Sequence, residues 1–248
     1  MMYSVLTILK YKITLIRRII RTLIKLNEKN RMKNKMIVMV GVVSALCLTT
    51  PLFAAETAKL IINKNNIKVW TILDPMNPAL SYKAETTFNT SMEQAVALVL
   101  DVENAKKWVP HLAQAEILSR NDQKGEFTLY MVLDLPFPLK DRDLVVKGMI
   151  KKDTNGIIHI LNQSTSIGKA MNPNYIRIKR YEGDWTFQKL AENKVKVTNS
   201  GFADPEGVIP VSVSNMFVQQ QPYQMLQKMK VELAKPSKKK IALPAVLK

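Results

Sequence analysis

ADPEGVIPVSVSNMFVQQQPYQMLQKMK, residues 203–230, is the stretch on which the reading of the fold turns. Pro210 has the fixed φ of a first helical residue, and Pro236 ends the helix that follows. Before Pro222 the apolar stripe is Val213, Met216 and Phe217. After it the stripe moves to Met225, Leu226, Met229 and Leu233, on another face. A proline inside a helix removes one backbone hydrogen bond and crowds the preceding turn, so a kink is expected at Pro222. A long amphipathic helix at the end of the domain needs a surface to cover its apolar side.

The chain upstream supplies that surface. Residues 67–73 (IKVWTIL) are apolar and β-branched and end in Asp74, Pro75, Asn77 and Pro78, which reads as an edge strand and a turn. Over residues 81–89, Tyr82, Ala84, Thr86 and Phe88 alternate with Lys83, Glu85 and Thr87, the pattern of a half-buried antiparallel strand. Thr90 followed by Glu93 forms a capping box for a helix through Ala95, Val96, Val99 and Leu100. A second short helix over 103–108 stops before Pro110. Strand-type segments follow at 116–120, 126–134, 143–152, 157–161, 175–190 and 194–202, most of them separated by Gly, Asn, Asp or Pro. The alternation slips between Ile178 and Tyr181, which places a bulge near Arg180 or Gly183.

The order of strands, two helices, a run of strands and one long helix defines an α+β fold. One helix is too narrow to fill the concave side of a curved antiparallel sheet, so a space of about 300–1,000 Å³ is expected between them. Residues 126–134 strengthen this, with Phe127, Leu129, Met131 and Leu133 on one face and Tyr130 and Val132 on the other. The same pattern also arises when both faces of a strand are covered.

Composition removes several function classes. The 248 residues carry a net charge of +17, but +9 lies in residues 1–55 and +6 in residues 228–248. The intervening 172 residues carry only +2, so there is no uniformly basic face for nucleic acid. Residues 36–53 (MIVMVGVVSALCLTTPLF) are uncharged, follow Arg31, Lys33 and Lys35, and precede Ala54-Ala55. This is the build of a secretory signal peptide over 32–54, cut near Ala54, which directs the mature chain to the periplasm. An uncleaved anchor is the rival. Cys47 lies inside the apolar run behind Leu46, which does not fit a lipoprotein cysteine, and its removal leaves no thiol for a disulfide or a metal. Residues 1–31 read as an extension upstream of the true start. The mature domain is expected over 55–235, with a basic tail over 236–248 that attracts an anionic membrane surface. There is no G-x-S-x-G elbow and no phosphate loop, and the two histidines, His111 and His159, are far apart. No catalytic residue, metal or cofactor is expected. His159 reads as a packed strand residue.

Two motifs carry a resemblance. DLPFPLKDRDLV (134–145) resembles the proline-rich turn and D-R-D of the START lipid-transfer family, and ADPEGVIP (203–210) resembles that family's lead-in to its C-terminal helix. The similarity covers residues 67–235. It implies a helix-grip fold with a hydrophobic tunnel for one lipid-like molecule, gated by the C-terminal helix. On that fold Trp108, Tyr130, Arg142, Trp185, Met216, Phe217 and Tyr223 are candidate cavity residues. Asp141, Asp143 and His111 are candidate polar anchors, and the alternative role for Asp141 and Asp143 is to hold a turn. The wider superfamily includes polyketide cyclases and aromatases, so an enzyme using a cavity acid, Arg142 or a tyrosine stays open. So does a partner protein that docks on membranes through its basic tail.

Overall fold

The computed structural model describes residues 57–74, 77–235 and 242–247. The expectations for residues 1–31, for the signal peptide over 32–54 with Cys47, and for Lys238–Lys240 of the tail lie outside these.

The chain opens with a meander of β1 (Thr57–Lys64), β2 (Ile67–Asp74) and β3 (Asn77–Phe88). β2 is therefore not an edge strand: β1 pairs along it through a two-residue turn at Asn65 and Asn66. Both asparagines adopt left-handed φ values of 55° and 61°, which their short polar side chains tolerate and which this hairpin turn requires. Helix α1 (Met92–Leu100) follows, then a 3₁₀ turn (Val102–Lys107). The cap of α1 is Ser91, one residue later than expected. Its hydroxyl accepts from Gln94 N at 3.2 Å, while Thr90 bonds the Gln94 side chain instead.

A second meander runs through β4 (Leu112–Asn121), β5 (Glu126–Leu133), β6 (Arg142–Lys152) and β7 (Ile158–Ser164). The segment expected as one strand over 175–190 is two: β8 (Ile176–Arg177) pairs parallel beside β6, and β9 (Tyr181–Ala191) pairs with β7. The slip in alternation at 178–180 marks this change of partner. β10 (Lys194–Ala203) then inserts between β9 and β3 and joins the halves into one sheet, in the order β1-β2-β3-β10-β9-β7-β6-β5-β4.

The C-terminal helix comprises α2 (Val211–Asn215), a π-helical turn (Met216–Gln220) and α3 (Gln221–Leu233). The Gln221 N–H bonds the Met216 carbonyl, five residues back. The expected disturbance at Pro222 takes this form: the wider turn just ahead of the proline accommodates its missing N–H and its ring. Met225, Leu226 and Met229 of α3 are buried against α1 and the inner face of β2 and β3.

The tail departs from expectation where it is described. Residues 242–247 return to the protein and end in a 3₁₀ turn (Ala245–Leu247) packed on β6. Ala245 N donates to Asp122 O at 3.0 Å, and Leu247 is buried in the main core.

Candidate ligand cavity

Between the sheet's inner face and the C-terminal helix lies an apolar cavity of about 600 Å³. Leu129, Met131, Leu144 and Val146 form its sheet wall, and Phe217, Val218 and Met225 its helix wall. Trp108 and Trp185 meet edge to face at 5.9 Å, and Trp185 stacks on Phe187 at 6.2 Å. The Trp108 indole N–H is buried with no partner among the described residues.

Strand register explains how the space stays open. Phe127, Gly148, Asn162, Gly183, Gly201 and Tyr82 stand in one row across β5, β6, β7, β9, β10 and β3. A methyl group on Gly148 would lie 2.0 Å from the Phe127 ring, and one on Gly183 2.5 Å from the Tyr181 hydroxyl. These glycines let two rings lie down against the sheet, so that the rings line the cavity instead of filling it.

Arg142 is 2% exposed and points to the cavity side of β6. Its Nε donates to Pro205 O and its Nη2 to Glu206 O, each at 3.0 Å, and its Nη1 donates to Lys140 O. Glu206 and Gly207 both take left-handed φ values, 57° and 73°, and this tight turn follows the two carbonyls that meet the guanidinium. Arg142 thus clamps the lead-in of the C-terminal helix to the turn before β6. Burial lowers its pKa from the usual guanidinium value, and the Asp141 carboxylate opposes that.

A second polar group lies on the sheet wall. The Tyr82 hydroxyl donates to Asn199 Oδ1 at 2.7 Å, and Asn199 Nδ2 donates to Asp184 O at 3.3 Å. Asn162 Nδ2 donates to Ile160 O at 3.2 Å. Burial pushes the Tyr181 phenol up to about 12 and raises that of Tyr82 further, with Tyr181 adding to the effect.

Of the residues expected in the cavity, Trp108, Arg142, Trp185 and Phe217 line it. Four others do not. Tyr130 faces the outer side of β5, packed with Val132 and Val145 under Lys169, whose Nζ sits 4.8 Å from the ring centre. Tyr223 faces outward, its hydroxyl accepting from Asn65 and Gln227, and Met216 is not part of the lining. His111 lies outside the lining too, in a left-handed turn with its ring 6.0 Å from that of Phe217. The two acids also turn away. Asp141 Oδ1 accepts from Leu135 N at 3.0 Å and closes the turn. Asp143 lies on the strand face opposite Arg142 and is bound by Arg177 Nε and Nη2, both at 2.8 Å. Strand alternation is the reason: neighbouring residues cannot both face the cavity. His159 lies on the outer face between Asp153 and Asp184, 3.5 and 3.8 Å away. The polar residues Tyr82, Asn162, Tyr181 and Asn199 were missed, although alternation already put Tyr82 on the face of Ala84 and Phe88.

A curved antiparallel sheet gripping a C-terminal helix over an apolar hollow is the helix-grip architecture. The chain belongs to the START domain family, whose family model matches residues 58–239. The bovine phosphatidylcholine transfer protein is 28% identical over 173 residues, which cover 68% of this chain and 80% of that protein. A Pseudomonas aeruginosa protein is 25% identical over 175 residues, covering 70% and 85%. Among solved structures, the STAR-related lipid transfer protein fragment from Xanthomonas axonopodis superposes with a TM-score of 0.66 at 24% identity, covering 72% of this chain and 99% of that one.

Proposed function

We propose that this protein encloses one lipid-like molecule in the cavity, releases it by movement of the C-terminal helix, and performs no chemistry on it. The observation that carries the reading is the 600 Å³ apolar space roofed by that helix. Burial of a ligand's apolar surface there supplies the affinity. Arg142 engages three of its five N–H donors with protein carbonyls and has the remainder for a headgroup oxygen. The relationship to a phosphatidylcholine transfer protein points the same way. A tyrosine raised by burial stays protonated near neutral pH and is a poor proton acceptor, which disfavours the cyclase-like alternative with a tyrosine base.

Unloading at a membrane fits two exposed apolar residues. Phe137 and Val208 are 97% and 95% exposed, on the two segments that Arg142 ties together. The sequence of residues 32–54 supports export to the periplasm, which N-terminal sequencing of the secreted form would test. The central test is native mass spectrometry of the purified protein beside Met131→Trp. A tight core would lose about 1–3 kcal/mol to the larger ring. A hollow one accepts it with little loss of stability, and a ligand bound at one per chain disappears. A destabilised variant that keeps its ligand refutes the reading.

A further inference from the structure

We infer that the ligand carries a neutral hydroxyl within its hydrophobic body, and that Tyr181 and Asn162 hold it on the sheet wall. This rests on the carrier reading above and adds a chemical class to it. The Tyr181 hydroxyl lies against Gly183, and Asn162 is the cross-strand neighbour of that glycine, so both belong to one patch. Both residues line the cavity. The Tyr181 hydroxyl makes no hydrogen bond to a described residue, although its own backbone N–H is satisfied by Ser164 Oγ at 3.0 Å. Asn162 donates one Nδ2 hydrogen to Ile160 O, which leaves its second amide hydrogen and its Oδ1 for a ligand.

The patch therefore offers the Tyr181 O–H and the second Asn162 N–H as donors and Asn162 Oδ1 as an acceptor, beside the mutually bonded Tyr82 and Asn199. A hydroxyl, which both donates and accepts, uses the two kinds of group at once; a carbonyl uses only the donors, and a hydrocarbon neither. The neighbouring Tyr82 gives its only hydroxyl proton to Asn199 Oδ1, and Asn199 gives one of its two amide hydrogens to Asp184 O, so this pair is engaged with itself and the sheet. Neither Tyr181 nor Asn162 carries a charge, and the burial that pushes the Tyr181 phenol up to about 12 equally disfavours an anion beside it, so the patch suits a neutral group. The row through Gly148 and Asn162 lies six residues along β6 from Arg142, about 20 Å of strand. The Asn162 end of the patch is thus remote from Arg142 along the sheet, while the Tyr181 backbone pairs with Ala203, two residues before the Pro205 carbonyl that Arg142 meets.

The test uses stearate and its 6-, 9- and 12-hydroxy derivatives, competing with a fluorescent fatty acid for the full mature protein. One positional isomer should bind about three- to tenfold more tightly than stearate, the effect of one or two neutral hydrogen bonds. Tyr181→Phe and Asn162→Leu should each remove that advantage and leave stearate affinity unchanged. Because the Tyr181 hydroxyl has no protein partner, Tyr181→Phe should melt at or above the wild-type temperature. The inference falls if no isomer outbinds stearate, if the advantage survives both variants, or if Tyr181→Phe is strongly destabilised. Failure of every probe, stearate included, overturns the carrier reading itself.

Discussion

Asp143 and Arg177 allow a sharp test of which side of β6 carries the ligand. The carboxylate is 1% exposed and the guanidinium 7%. Both carboxylate oxygens accept from the arginine at 2.8 Å, and Arg177 also donates to Lys169 O and Ala170 O at 3.3 and 3.1 Å. The hydrogen bonds that Arg177 donates to Asp143 raise the Arg177 pKa against the opposing effect of burial. Removing one partner strands a buried charge, at a loss of about 3–5 kcal/mol. For a domain of this size that corresponds to a melting temperature lower by about 6–20 °C. Asp143→Leu and Arg177→Met should each show this loss. The double variant should recover most of it, because no charge is left behind, and a large favourable coupling should appear in the cycle. Ligand affinity, measured by displacement of a fluorescent fatty acid below the melting range, should stay at the wild-type value in all three. Additive losses would refute the buried-pair argument. A drop in affinity of the folded double variant would return Asp143 to the headgroup role that the sequence suggested.

Two further outcomes are expected. Ending the chain at residue 241 should lower stability by about 3 kcal/mol in urea unfolding, because buried Leu247 and its neighbours Leu243 and Val246 leave the core around Phe127 and Ile150; unchanged stability would show that the returning segment adds nothing. Burial raises the Asp184 pKa, His159 opposes this, and Oδ1 has no partner among the described residues. A raised carboxylate pKa destabilises the fold above that pKa and not below the unfolded value, so Asp184→Asn should melt higher than wild type near neutral pH. That difference should shrink as the pH falls through the carboxylate range; a difference that grows would show that the ion pairs with His159 outweigh burial.

The fold was legible because its signals are local and repeated. Alternation in 81–89 fixed the inner face of β3, and Pro210 with the stripe over 213–233 fixed the C-terminal helix. What escaped depends on partners remote in sequence. β1 hides in a lysine-flanked LII run, and only its pairing through Asn65–Asn66 makes it a strand. The split of 175–190 shows in the sequence only as the slip in alternation at 178–180; that Ile176–Arg177 pairs beside β6, with Arg177 reaching back to Asp143, is a remote contact. In the cavity the expectations favoured large aromatic residues, and size does not say which face a residue takes. Tyr130 sits between Leu129 and Met131, so putting those two inside already puts it outside.

The tripeptide Asp141-Arg142-Asp143 shows why a motif can be well matched and still mislead about roles. Its three side chains point three ways: one closes a turn, one reaches the cavity side, one secures the outer loop through Arg177. The inward arginine meets the carbonyls of Pro205 and Glu206, so the two stretches that carry the family resemblance touch at one guanidinium. That contact joins the sheet to the lead-in of the helix that roofs the cavity. If the helix moves as proposed, the Arg142 contact at residues 205–206 is the fixed point from which it would swing. The π-helical turn, which interrupts the regular hydrogen-bond pattern between Val211–Asn215 and the rest of the helix, would then be the place for the motion to be taken up.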